Sequence, residues 1–293
     1  MPFDEFTFVI DKATKFGFDT FNLTPHIGEP LTDPQFCDKL MYMEHHPSVY
    51  DYYFSTNFTL ADDLFLKTMT QLKKIRWLSI TVYGHDELSF VHITRSDSSW
   101  HKKLIENLEK LNEYKAILPK AEIKIRTSGS FNLNRCDSKV CEIVRQLQDR
   151  GVRVRNPKVF HDWSGLVDHN MLKRHSLEIK KKNTEKREPC VYLFFKHTIL
   201  PDGSVNACGA SDGNADFSIG DIKQQDFKEI YSPTNERYLK LIRSHLERRF
   251  PDTCKQCTAY RGISEAWHSY KYHRKEQITL SMFFQWLQQN RLN

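Results

Sequence analysis

An α/β fold is the expectation for this sequence of 293 residues, and three observations carry it. Over roughly the first 160 residues, short runs of apolar and polar alternation take turns with longer runs whose apolar residues recur at helical spacing. Glycine, proline, asparagine and aspartate punctuate the joins. No window approaches the roughly 18 uninterrupted apolar residues that a membrane span needs. Such alternation implies parallel strands with crossover helices, as in a barrel or a doubly wound sheet, with functional loops at the carboxyl ends of the strands.

The elements follow in order. Phe6, Val9, Ile10, Ala13 and Phe16 define a first helix, stopped by Gly17, which can take the left-handed conformation at a helix end. Phe18 to Thr24 alternates as a strand and leads into Gly28-Glu29-Pro30-Leu31. Asp33-Pro34 signals the next helix, because proline at the first helical position gives up no needed hydrogen bond, and Phe36, Leu40 and Met43 supply its buried face. Then come a strand over Tyr50 to Phe54, the loop Ser55-Thr56-Asn57, a helix over Asp62 to Lys74 and a strand over Trp77 to Val82 ending at Gly84. Trp100, Leu104, Ile105, Leu108 and Leu111 share one helical face, followed by a strand over Ile123 to Thr127. Val140, Ile143, Val144 and Leu147 mark a further helix closed by Gly151, and Val152 to Val154 is the next strand.

Composition narrows the class. With 39% hydrophobic and 27% charged residues the chain can bury a core, which argues against disorder. The net charge of +6 is too small an excess to indicate nucleic acid, and no membrane partner is expected. Met1-Pro2-Phe3-Asp4-Glu5-Phe6 has neither the basic nor the apolar stretch of a signal peptide, so a cytoplasmic location is expected. Seven cysteines, an odd number, then argue for a reducing compartment in which they serve as ligands, nucleophiles or core.

The grammar changes after residue 170. Lys173 to Pro189 holds seven Lys or Arg with interleaved Glu178, Glu185 and Glu188, and reads as a solvated linker in preference to a polyanion patch. Val191 to Leu200 is rich in β-formers, Pro201-Asp202-Gly203 is turn chemistry and Val205 to Cys208 begins the return strand of a hairpin. Tyr238, Leu241, Ile242 and Leu246 mark a helix before Pro251, and Ile278 to Leu292 reads as a docked terminal helix.

Four cysteines lie in this C-terminal third. Cys254-Lys255-Gln256-Cys257 is a CxxC knuckle, which lets two thiolates of one turn converge on one metal. Folding the hairpin at Pro201-Asp202-Gly203 returns Cys208 toward Cys190 and completes a four-thiolate set. A redox pair, or four unrelated cysteines, is the alternative, and spacing alone does not choose between zinc and iron–sulfur.

The order from Cys190 through Gly203 and Cys208, then Phe217 to Ile222, Phe227 to Tyr231, the helix with Leu241 and His245, Pro251 and the CxxC resembles the SPASM domain at the C-terminus of many radical SAM enzymes. The resemblance implies that Cys190, Cys208, Cys254 and Cys257 ligate an auxiliary [4Fe–4S] cluster. Asn22-Leu23-Thr24 with Gly28-Glu29-Pro30 resembles the GGEP segment of that family, with Ile27 in place of the first glycine, and Thr56-Asn57 resembles its TN after the third barrel strand. Thr81-Val82-Tyr83-Gly84, with Arg95 downstream, stands where the family has a serine and an acid before glycine, then an arginine. Gly28, Glu29, Pro30, Thr56, Asn57 and Thr81 are thereby implied as residues that bind S-adenosylmethionine. The implied architecture is a partial (β/α) barrel of radical SAM type lacking its first strand over 1–170, a basic linker over 171–187, a small α+β SPASM cluster-binding domain over 188–262 and a helical tail over 263–293.

The CxxxCxxC loop that holds the SAM-cleaving cluster of that family does not occur in the sequence. A misplaced start, a truncation or a lost activity would each account for this, and no catalytic residue is assigned. HExxH, GxSxG, Walker and GxGxxG patterns are also absent, which removes support for hydrolase, kinase and dinucleotide readings. A complete protein of this kind would form a 5′-deoxyadenosyl radical to modify a peptide or small molecule, with a flavodoxin or ferredoxin as reductant. The rivals are a non-catalytic iron–sulfur protein, acting as electron carrier or partner subunit, and a zinc-stabilised structural module.

Overall fold

The structure, a computed structural model, describes residues 1–165, 167–181 and 185–264. The predicted terminal helix at 278–292 lies outside the described residues. Helix α1 (Phe3–Phe16) ends where Gly17 turns left-handed at φ 114° and its amide reaches Ala13 O and Thr14 O. Strand β1 (Thr20–Asn22), helix α2 (Phe36–His45), β2 (Asp51–Thr56), α3 (Asp63–Gln71) and β3 (Ile75–Tyr83) follow. Next are α4 (Glu87–Thr94), α5 (Ser98–Glu113), β4 (Ala121–Arg126), α6 (Lys139–Asp149) and β5 (Arg153–Arg155).

These five strands form one parallel sheet in the order β1-β2-β3-β4-β5. A doubly wound sheet reverses its strand order at a switch point; an order that never reverses is that of a barrel wall. Of the two architectures open from alternation, the partial barrel is therefore the one observed. Leu78, Ile80 and Val82 of β3 and Ile123 and Ile125 of β4 are fully buried in one cluster with Leu104, Leu108 and Leu111 of α5 and Val144 and Leu147 of α6. Burying each such side chain favours folding by about 1.5–3 kcal/mol before the entropy of ordering it is charged.

Helix α4 was not among the predicted elements. Asp86 begins it with a capping box to Ser89, and Gly84 makes the preceding turn fit: a Cβ there would lie 2.4 Å from the Phe90 nitrogen. Helix α2 also starts at Phe36, after a 3₁₀ turn at Pro30–Thr32 and two turn residues, and not at Pro34.

Beyond β5 come β6 (Val159–Phe160), α7 (His169–Arg174) and β7 (Glu178–Ile179). The solvated linker expected from Lys173 is thus structured at its start. Gly129 N–H donates to His175 O at 2.7 Å and Glu178 N–H to Lys158 O at 2.8 Å, so backbone pairing outweighs local charge. Two units result, Met1–Phe160 with Asn170–Glu178, and His161–His169 with the described residues from Ile179 onward.

The second unit holds α8 (Tyr192–Phe195), β8 (Thr198–Ile199), β9 (Ser204–Asn206), β10 (Ser218–Asp221), α9 (Phe227–Ile230), α10 (Glu236–Leu246) and α11 (Asp252–Gln256). Its antiparallel sheet has the order β10-β9-β8, with Gly203 left-handed at φ 98° in the predicted turn. The strand expected over Val191 to Leu200 is corrected: only Thr198–Ile199 pairs with β9, and Tyr192–Phe195 makes a helical turn. Val191 N–H is committed to Arg261 O at 2.9 Å and Cys190 bridges Gly262, so the chain turns before it can extend along β9. β-propensity in Val191-Tyr192-Leu193-Phe194 yields to that pairing.

Candidate metal centre and cofactor loop

In the second unit, each sequence-predicted cysteine sits at an element boundary. Cys190 lies in the bridge to Gly262, Cys208 two residues past β9, Cys254 within α11 and Cys257 at its C-cap. All four residues keep some accessible surface, yet loss of water at the sulfur is the largest influence on three of the thiols. Burial pushes the Cys190 thiol up to about 11, with Cys208 and Cys257 adding to the shift. Cys208 is raised by burial and by Cys257, and Cys254 by burial and then by Cys208, Cys190 and Cys257. The four sulfurs therefore lie within electrostatic reach of one another. Among the described residues no three His, Cys, Asp or Glu side chains form a ready-made ion site by distance.

Backbone amides oppose these shifts. The amides of Tyr192 and Arg261 point at Cys190, those of Ala210, Ser211 and Asp212 at Cys208, and Ala259 N–H donates to Cys257 Sγ at 3.3 Å. Amides aimed at sulfur stabilise thiolates, and desolvated thiolates that repel one another require a cation among them. The residues present therefore fit a thiolate-bound metal centre.

Two supports were not singled out for a role from the sequence. Lys186, in the presumed linker, donates from Nζ to the carbonyls of Cys254, Lys255 and Cys257, the last two at 3.2 Å, and so holds the end of the CxxC turn. His245, wholly buried on α10, accepts Cys190 N–H at Nδ1 across 3.3 Å. A histidine on the apolar face that Leu241 and Ile242 define was the available signal.

In the first unit, three of the six residues implied for S-adenosylmethionine come together. Glu29 accepts from Thr56 Oγ1 at 2.5 Å, from Asn57 N–H at 2.7 Å and from Leu31 N–H at 3.2 Å. Gly28, left-handed at φ 120°, and Pro30, at the first 3₁₀ position, shape the turn that presents it. Asn107 of α5 donates to Phe58 O and Thr59 O and so fixes the loop that follows Thr56. A carboxylate has about four lone-pair sites, so three protein donors leave roughly one for a ligand ammonium. Thr81 stands apart: it is buried in β3 opposite Lys124, beside the register partner of Thr56. Near the carboxyl ends of β3 and β4, His85 Nδ1 meets Thr127 Oγ1 at 2.9 Å, a pair sequence reasoning missed.

The remaining thiols of this unit are spoken for. Cys136 and Cys141 are disulfide-bonded, which corrects the expectation that the cysteines act only as ligands, nucleophiles or core. The pair brackets the start of α6, so the helix itself brings the two side chains together. Cys37, on α2, bonds Thr68 and is raised by burial.

An open wall of parallel strands joined by helices, followed by a thiol-rich α+β unit, defines the class of fold: a radical SAM-type partial barrel with a small cysteine-bearing extension. Residues 190–258 match the SPASM family, described as an iron-sulfur cluster-binding domain. Residues 190–258 thus carry the SPASM match, and over the rest of the chain the likeness to solved structures is one of fold. Among solved structures it is similar to BtrN in complex with AdoMet and 2-DOIA, at 15% identity and TM-score 0.50 over 88% of this chain and 80% of that one. It is also similar to anSMEcpe with bound AdoMet, at 15% identity and TM-score 0.51 over 92% and 82%. Streptococcus suis SuiB bound to precursor peptide SuiA aligns at 13% identity and TM-score 0.56, over 92% of this chain but 66% of SuiB. No curated protein sequence matches the chain. No described helix is long and apolar enough to cross a membrane.

Proposed function

We infer that the second unit binds one auxiliary [4Fe–4S] cluster through Cys190, Cys208, Cys254 and Cys257, in a protein that works on a peptide or small molecule. The observation that carries this is the set of six backbone amides directed at three of the four sulfurs. A bound cluster supplies one-electron transfer, its potential set by hydrogen bonds to sulfur and by exposure. Around it, Lys186 fixes the CxxC carbonyls, His245 holds the Cys190 backbone, and Lys196, whose ammonium burial lowers while Cys208 opposes the shift, stands within electrostatic reach of that sulfur. Four thiolates saturate the site, which suits electron relay from a flavodoxin or ferredoxin more than substrate ligation. Peptide in SuiB and small molecule in BtrN are the precedents for the substrate class.

Iron analysis after anaerobic reconstitution tests the ligand set. About four iron atoms per chain and a brown colour are expected, against a colourless protein if the metal is zinc. Cys254→Ser should lose most of the iron and Cys37→Ser none; equal iron in the two variants would remove the assignment.

The first unit supports binding of S-adenosylmethionine at Glu29, Thr56 and Asn57. Its reductive cleavage needs three thiolates and an open iron, and the sequence offers no CxxxCxxC while Cys136 and Cys141 are paired. Taken by itself, this stretch of chain is not expected to cleave S-adenosylmethionine. With dithionite and reconstituted protein, 5′-deoxyadenosine should not rise above the level of a Cys254→Ser/Cys257→Ser variant; turnover well above it would restore the enzyme reading.

A further inference from the structure

A pocket of about 420 Å³ opens in the second unit, and its lining includes His161, Lys180, Lys181, Tyr192, Thr258 and Arg261. Among the described residues that line it, three side chains are permanent cations and none is a carboxylate. Lys180 stands close enough to His161 to help hold that imidazole neutral, after burial, and Lys180 and Lys181 are exposed. The adjoining carboxylate, Asp162, is wholly buried and takes its hydrogen bonds from Thr258 Oγ1 at 3.0 Å and Ser164 N–H at 3.1 Å. Two exposed ammonium groups, those of Lys180 and Lys181, thus stand on the pocket lining.

The pocket and the thiols share a wall. Tyr192, Ala259 and Arg261 line the pocket while their backbone amides point at Cys190 and Cys257. We propose that this pocket binds an oxyanion, the carboxylate or phosphate of the substrate, one residue's thickness from the cysteine site. Two ammonium groups on one concave surface are what such a group pairs with. The placement beside a cluster rests on the function inferred above; the anion site does not.

Calorimetry on the full reconstituted chain tests it, with inorganic phosphate and acetate titrated separately at about 0.15 M ionic strength. Saturable one-to-one binding is expected, with the tighter of the two anions identifying the source as phosphate or carboxylate. Lys180→Gln/Lys181→Gln should weaken it about tenfold, whereas Lys12→Gln/Lys15→Gln on α1, which removes the same charge, should change it less than about twofold. Absence of saturation, or equal weakening in the two variants, overturns the proposal. Iron measured on the same samples separates the two readings: binding without iron keeps the anion site and sinks the cluster, and iron without binding does the reverse.

Discussion

The first unit buries Tyr52, Phe54, Phe58, Leu78 and Ile80 completely around strands of up to nine residues, whereas the strands of the second are two to four residues long and four half-buried cysteines lie within electrostatic reach of one another. Long strands bury enough apolar area to hold themselves. Short strands separated by loops do not, and a metal that joins four points far apart in sequence replaces area with cross-links. The two units should therefore respond oppositely to removal of the metal.

That contrast makes the largest prediction. Chelating the metal should collapse amide protection across residues 190–258 while β2, β3 and β4 keep theirs, as read by hydrogen exchange before and after treatment. Protection of Val205, Ala207 and Ile219 that survives chelation would show that Phe227, Ile230, Tyr238 and their neighbours suffice as a core, and the contrast would be lost.

Legibility in the sequence divides along the same line. The strands of the first unit were readable because one face is buried and alternation survives; β2 runs from Asp51 through Phe54 to Thr56 close to its expected bounds. Helix α4 was not, because Leu88, Val91 and Ile93 are exposed while Phe90 is buried, which leaves no periodic face; only Asp86 and Ser89 announced it. In the second unit the spacing singled out four cysteines that the fold brings within electrostatic reach of one another. What readies them was not: amides of Ala210, Ser211 and Asp212 carry no letter of their own, and Lys186 reads as one charge in a basic run until its three carbonyl partners are placed. The pairing of Glu29 with Thr56 and Asn57 was accessible only through family resemblance, since the residues are 27 and 28 positions apart.

A smaller effect separates the units by pH. Burial pushes His197 down to about 4 against an opposing bond with the Phe194 backbone, and the ring faces Tyr231. Its unfolded value is about 6.5, so below that pH the unfolded chain takes up a proton that the folded one refuses. Stability from this group is present above about 6.5 and is lost as pH falls toward 4, by about 3 kcal/mol at most. In the first unit burial also lowers His101, but Glu87 and Asp86 offset part of the shift. Urea unfolding between pH 7 and 5, followed by pulsed hydrogen exchange, should show the second unit weakening more, and His197→Phe should flatten its slope. An unchanged slope in that variant would shift the effect to other groups.

The smallest effects compare one helix start in each unit. Asp62 caps α3 through a single bond from Phe65 N–H at 2.8 Å, and Asp62→Ala should cost the first unit about 1 kcal/mol. Asn235 caps α10 by accepting from Arg237 and Tyr238 N–H, and its Nδ2 also donates to Ile219 O at 2.8 Å and Ile230 O at 2.6 Å. Asn235→Ala removes the cap and strands two carbonyls, so about 2 kcal/mol is expected in the second unit. Both variants should retain full iron, since neither side chain touches a cysteine. With the metal bound, the Asn235 loss should still lower the urea midpoint of the second unit by its full cost, because ligation adds a term that the cap does not enter. A loss no larger than that of Asp62→Ala would mean that the bonds from Asn235 to Ile219 O and Ile230 O add nothing to the cap.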